Sequence, residues 1–239
     1  MTTHPAEQLV MSGYGDSALL VSRRHPDPAR RWALMQAVAA SLRAQRVPGV
    51  EAVVATFEDL LVEYDPLVCD GDELRRRIAL SAPAEEPPLA SGRTVRLPMV
   101  YGGDNGPDLD DVAAELGITA DQLIDRHSST DWTVAFTGAP AGAPLHTGEP
   151  LGATPIRRRS SPRVRIPAGT VALSGTQGTI YTVEAPGGWR LIGRTPVRII
   201  RQGSDDFVSI RPGDTLRFSP LSEAEFAAFT PVDVAELIS

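Results

Sequence analysis

The stretch PRVRIPAGTVALSGTQGTIYTVEAPGGWRLIGRTP, residues 162–196, decides how the longer part of the chain folds. Short apolar and β-branched runs, Thr170–Ser174, Thr179–Val183 and Arg190–Ile192, are separated by glycine and proline turns. The same rhythm continues at Trp132–Phe136, Val197–Ile200 and Asp214–Phe218. Many short strands at this spacing close on themselves more readily than they form an α/β sheet. Residues 93–239 are therefore expected to form a β-barrel.

Ahead of these strands, Arg93–Val100 reads as a strand and Gly-Gly-Asp-Asn-Gly-Pro as its loop. Two short helices follow. Asp108 is expected to cap the first, with Val112, Ala113 and Leu116 apolar and Gly117 ending it. Thr119 and Gln122 form a capping box for the second, with Ile118 and Leu123 as its staple. A last box joins Ser222 to Glu225, stapled by Leu221 and Phe226.

The first 82 residues read differently. Met11–Ser22 is a Gly-Asp turn leading into one apolar strand. Asp27-Pro28 starts a helix whose stripe is Leu34, Val38 and Leu42, and Pro48-Gly49 stops it. Val50–Thr56 and Leu60–Tyr64 flank the Glu58-Asp59 turn as a hairpin, and Asp70 with Glu73 opens a second helix. This is a small α/β sandwich. Residues 83–92, rich in proline, glycine and acids, are the expected linker. The fold class is α+β, with two domains at 1–82 and 93–239.

Composition excludes several function classes. The net charge of −7 argues against nucleic acid, and no run reaches a membrane span. The start MTTHPAEQ lacks a secretory pattern and there is one cysteine, Cys69, so the cytoplasm is expected. All 23 basic residues are arginine, which excludes a Schiff-base lysine and a P-loop. There is no GxSxG, HExxH or CxxC motif, and the four histidines are too scattered for a recognisable metal site.

Five arginines fall between Arg157 and Arg165. In a strand, Arg163 and Arg165 share one face and two guanidinium forks there suit a carboxylate or phosphate, although a solvated charge run or an inter-subunit salt bridge fits equally. Gln177, in a Gly-Thr-Gln-Gly turn, has donors and acceptors that match an amide, or bonds its local backbone. Arg194-Thr195 offers a further fork and hydroxyl. His127 ends a short helix, where the dipole favours the imidazolium; it is either a local cap or a general acid/base at a pocket edge. The candidate site is thus Arg157, Arg163, Arg194 and Thr195 for substrate, with His127 and Gln177 for chemistry.

These residues sit in longer motifs: Gly15–Leu20 (GDSALL), Val47–Val50 (VPGV), Val62–Pro66 (VEYDP), Leu97–Leu109 (LPMVYGGDNGPDL), His127-Ser128, Pro162–Val171 and Ala185–Pro196. Together they resemble, over nearly the whole chain, the family that unites KipI, the B component of 5-oxoprolinase (PxpB) and allophanate hydrolase subunit 1. The resemblance implies a KipI-like domain followed by a cyclophilin-like barrel. It implies a partner like KipA, the C component of 5-oxoprolinase or allophanate hydrolase subunit 2, and in one branch a third protein, the A component of 5-oxoprolinase. It implies ATP, and a small carboxylate bearing an amide or lactam as substrate; the KipI branch instead implies a non-catalytic inhibitor of a histidine kinase. One segment departs. Where the family carries Gly-Phe-x-Pro-Gly-Phe-x-Tyr-Leu, this chain has Gly138-Ala139-Pro140-Ala141-Gly142-Ala143-Pro144-Leu145, which removes flat apolar surface of the kind that walls pockets.

Overall fold

The structure is a computed structural model that describes residues 9–88, 92–149, 151–152, 154–201, 203 and 207–239. They divide into two compact units, Met1–Ser91 and Gly92–Ser239.

In the first unit, β1 (Leu9–Gly13) and β2 (Ala18–Arg23) form a hairpin rather than the single strand expected over Met11–Ser22. The chain reverses at Tyr14–Ser17, where Gly15 takes φ +66°, a conformation costly to side chains with a Cβ. With β3 (Val50–Ala55) and β4 (Asp59–Tyr64) the strands make an antiparallel sheet of order β1-β2-β4-β3. Helix α1 (Pro28–Gln45) begins where the Asp27 carboxylate accepts from the Ala29 N–H, and α2 (Gly71–Leu80) where Asp70 accepts from Asp72 and Glu73. Leu34, Val38 and Leu42 of α1 and Leu74 and Ile78 of α2 are buried against Leu19, Val21, Leu60 and Val62. Alternation puts those four strand residues on one sheet face, so the helices cover that face. Glu86, in the expected linker, holds the buried Arg23 and reaches Arg30. Residues 89–91 of that linker lie outside the described residues.

In the second unit seven strands close in the order β10-β7-β6-β13-β5-β12-β9, with β9 paired back to β10. They are β5 (Thr94–Tyr101), β6 (Trp132–Gly138), β7 (Ala143–Thr147), β9 (Thr170–Ser174), β10 (Gln177–Ile180), β12 (Arg190–Arg194) and β13 (Thr215–Leu221). β5 and β13 run parallel and the other pairs antiparallel. A separate two-stranded ribbon joins β8 (Arg163–Ile166) to β11 (Ala185–Gly187). Helices α3 (Leu109–Leu116) and α4 (Ala120–Ser129) send Leu109, Val112, Ala113 and Leu123 into the barrel core with Trp132, Leu173 and Phe218. The Thr119–Gln122 and Ser222–Glu225 boxes both form, the second at the start of α5 (Glu223–Ala228).

Three local expectations are corrected. Val197–Ile200 makes only isolated bridges among the described residues, Arg198 to Asp233 and Ile200 to Val208, and Pro196 before it offers no N–H to a ladder. Thr179–Val183 is divided: β10 stops at Ile180 and the chain turns into β11. Asp108 precedes α3 but makes no capping bond with its side chain, which is spent elsewhere.

The loop before α3 passes so close to β12 that a Cβ on Gly106 would stand 2.2 Å from the Ile192 carbonyl oxygen. Since that obstacle is backbone, Gly106→Ala should lower stability by about 1–3 kcal/mol in urea unfolding; an unchanged midpoint would contradict the packing.

Candidate functional site

The barrel strands deliver their chemistry at their ends. β8 finishes at Ile166, and the turn Pro167-Ala168-Gly169 leads to β9. Gly169 takes φ +84°, and a Cβ there would lie 2.3 Å from the Thr195 carbonyl oxygen. Only glycine lets this turn touch the end of β12. There the Thr195 N–H donates to Gly169 O (2.9 Å), and Arg194 Nε donates to Ala168 O (2.9 Å). The terminal nitrogens of Arg194 meet no acceptor among the described residues.

Ala168, Gly169, Arg194 and Thr195 line an open cleft of about 1010 Å³. Thr182 borders it too, its hydroxyl donating to Ala141 O (2.6 Å). Phe226 of α5 and Phe229 supply an apolar wall, and Arg198 lies opposite Asp233, to which its Nε donates (2.8 Å). Thr195 is 2% exposed and its hydroxyl accepts from Val197 N–H (3.3 Å). The Ala141 bond ties to the cleft edge the very loop, residues 138–145, in which the family's aromatics are missing. The cleft thus sets the terminal nitrogens of Arg194 beside aromatic surface, a lining suited to a small anion with some apolar surface, while the two threonine hydroxyls hold its walls.

Of the six candidate residues, Arg194 and Thr195 are brought together here. The other four are elsewhere. Arg157 gives its backbone N–H and its Nε to Glu115 Oε1 (2.9 and 3.0 Å), and Arg190 reaches the other oxygen at 3.5 Å. Burial pushes the Glu115 carboxyl up, but the Arg157 bonds outweigh it and leave it below its ordinary value. Arg163 grips Asp108 with both terminal nitrogens (2.8 and 2.9 Å), Arg159 adds a third bond at 3.1 Å, and the Leu191 N–H a fourth at 2.8 Å. Arg165, on the same strand, pairs with exposed Glu184. Gln177 borders a separate cavity of about 10 Å³ beside Trp132 and Leu173, room for roughly one water.

His127 corrects the expectation of a raised pKa. It is wholly buried, its Nδ1 bonded to the Tyr101 hydroxyl at 2.7 Å and its ring packed on Phe218 and Trp132. Desolvation, with a smaller push from His146, pulls its pKa down to about 3. The helix dipole acts only over the last turn and is outweighed by loss of water. His146 is equally buried, with Nδ1 on Pro144 O, and burial takes it to about 4. Both Nε2 atoms lack a partner among the described residues.

The cleft residues that sequence reasoning misses are Thr182, Arg198 and Phe229; Phe226 reads only as a helix staple. None carries a local signal, since barrel closure gathers them from distant positions.

A family model described as "Carboxyltransferase domain, subdomain C and D" matches residues 9–209. The chain belongs to that family. It is 35% identical over 183 residues to a protein of Escherichia coli O157:H7 named as the B subunit of 5-oxoprolinase, covering 75% of this chain and 78% of that one. The protein of the same name from Bacillus subtilis (strain 168) is 31% identical over 233 residues, covering 90% and 94%. The crystal structure of TTHA0988 superposes with a TM-score of 0.74 at 28% identity, over 86% of this chain. This chain spans only 40% of TTHA0988. The resemblance to the KipI and PxpB family drawn from the motifs is upheld by these relatives, and the motifs Leu97–Leu109, Pro162–Val171 and Ala185–Pro196 all lie within the matched span. Among the described residues of this family member no helix is long and apolar enough to cross a membrane, and no three His, Cys, Asp or Glu side chains gather as metal ligands.

The buried histidines set a pH dependence. Unfolded imidazoles take a proton near pH 6.5, whereas the folded ones hold out to about 3 and 4. The unfolded state therefore binds more protons as pH falls, and stability that is complete above about 6.5 drains away below it. The urea midpoint should fall between pH 6.5 and 5, before most carboxylates titrate, and His146→Gln should flatten that slope. A midpoint constant across this window would contradict the burial of neutral rings.

Proposed function

We propose that this chain is the PxpB-type component of a cytoplasmic, ATP-dependent complex that hydrolyses a cyclic amide or carboxamide, with 5-oxoproline as the leading substrate. The relatives named for 5-oxoprolinase support the reaction class. The observation that carries the role of this chain is the cleft, where the terminal nitrogens of Arg194 meet no acceptor among the described residues. A guanidinium takes a carboxylate in two parallel bonds through its terminal nitrogens, and the Phe226–Phe229 wall would receive the methylene edge of the lactam ring.

Proton transfer is assigned to the partner. No histidine lines the cleft among the described residues, and its carboxylate, Asp233, is engaged by Arg198. His127 and Gln177 then serve the barrel rather than the reaction. ATP enters as co-substrate of the complex. With no lysine in the chain, a P-loop cradle for its phosphates falls to another protein of the assembly. The partner would be like KipA, the C component of 5-oxoprolinase or allophanate hydrolase subunit 2, with the A component as a third member.

One observation favours a second reading, a KipI-like regulator without turnover: the loop beside the cleft has alanines and prolines where the family has aromatic rings, though it remains bonded to Thr182.

The test is 5-oxoproline-dependent ATP hydrolysis by this chain assembled with its partners. Arg194→Ala should raise KM by about ten- to a hundredfold, the loss expected for a charged hydrogen-bonded pair, with partner binding unchanged. An assembled but inert complex would favour the regulator.

A further inference from the structure

We propose that Asp108 is a positioning residue for the cleft: its buried carboxylate fixes, from their far ends, the two strands that deliver the cleft's anion-binding corner. This rests on the reading of the cleft given above.

Asp108 is 1% exposed, and a buried carboxylate is tolerated only when its lone pairs are matched. Here they are matched from two directions. Arg163 binds both oxygens, which fixes the start of β8. The Leu191 N–H binds one oxygen, and the Asp108 N–H donates back to Leu191 O (2.9 Å), which fixes β12. β8 then runs to Ile166, two residues before Ala168, and β12 runs to Arg194, one residue before Thr195. At about 3.3 Å per residue the spans from Arg163 to Ala168 and from Leu191 to Arg194 are roughly 16 and 10 Å.

The two strands share no ladder. β8 pairs with β11, while β12 pairs with β5 and β9. Between them lies the packing of Ile166 with Ala172 and Leu191, which is apolar and without directional preference. Directional bonds hold β8 against β12 at two ends. At one, Asp108 is the buried tie, flanked by Arg159 N–H to Gly188 O (2.8 Å) and Arg190 Nε to Arg157 O (3.0 Å). At the other is the cleft itself, through Arg194 to Ala168 and Thr195 to Gly169, next to the β9–β12 ladder. If the Asp108 grip is loosened, the ribbon slides relative to β12, and the fork of Arg194 leaves its angle to the pocket. Burial raises the Asp108 carboxyl, but Arg163, the Leu191 N–H and Arg159 together hold it below the usual range, so the latch stays charged at neutral pH.

The experiment uses the assembled complex with Asp108→Asn, which keeps shape and removes charge, and Arg163→Lys, which keeps charge and removes the fork. Should the first fail to fold, the second carries the test. Each should raise the KM for 5-oxoproline about tenfold, the lower end of the loss expected when the Arg194 pair itself is removed, with kcat changing less. The double variant should be no worse than the stronger single one, because both break one tie. Amide exchange, read without turnover, should quicken at Thr195, whose N–H is held by Gly169 O, and stay unchanged along β13. A merely structural role would lower stability without moving that amide or the KM. Folded variants with unchanged KM and unchanged exchange there overturn the proposal. If Arg194→Ala raises KM while these variants do not, positioning alone fails. If Arg194→Ala is silent, the cleft reading fails, and the exchange data decide the latch.

Discussion

A carboxylate at 1% exposure in an acidic chain has to be neutralised, and Asp108 is neutralised by two arginines and a backbone amide. Removing one partner from such a group leaves an uncompensated charge, so the arrangement tolerates little change. Much of the second unit follows from it. Three arginines of the run that stands out in the sequence pair with carboxylates on or beside α3: Arg157 to Glu115, Arg159 and Arg163 to Asp108. Arg190, from β12, adds a further bond to Glu115. The run laces a ribbon and a helix to the barrel wall. Its fork geometry, which looks made for a ligand, is used on the protein itself.

That reassignment concentrates the candidate chemistry. Arg194 and Thr195 remain at the solvent-open end of β12, against a glycine turn that only φ +84° permits. The two buried histidines go the other way. Desolvation keeps them neutral inside the barrel, where they pack as polar aromatics and make stability respond to mild acid.

The elements legible in the sequence are those whose signals are local. The stripe Leu34, Val38, Leu42 and the cap Asp27 define α1 by spacing alone, and both capping boxes form as spelled. The barrel is legible as a rhythm of short strands, but its membership is not. β7 (APLHT) escapes because Pro144 and His146 do not read as strand residues, although both are buried there. The cleft is half legible: Arg194-Thr195 is one sequence word, whereas Thr182, Arg198 and Phe229 join it only when the strands close. The partners of Arg157 and Arg163 lie 42 and 55 residues upstream, beyond any local pattern. His127 is misjudged because the dipole of its helix is visible in sequence and the water it loses is not.

We propose that the anion-binding corner of this barrel lies where β8 and β12 end. A crystal structure of the assembled complex with 5-oxoproline tests this most directly. The expected result is the substrate carboxylate on the terminal nitrogens of Arg194, beside Thr195. A carboxylate held instead at the cavity of Gln177, or on the Arg157–Arg163 run, would contradict it.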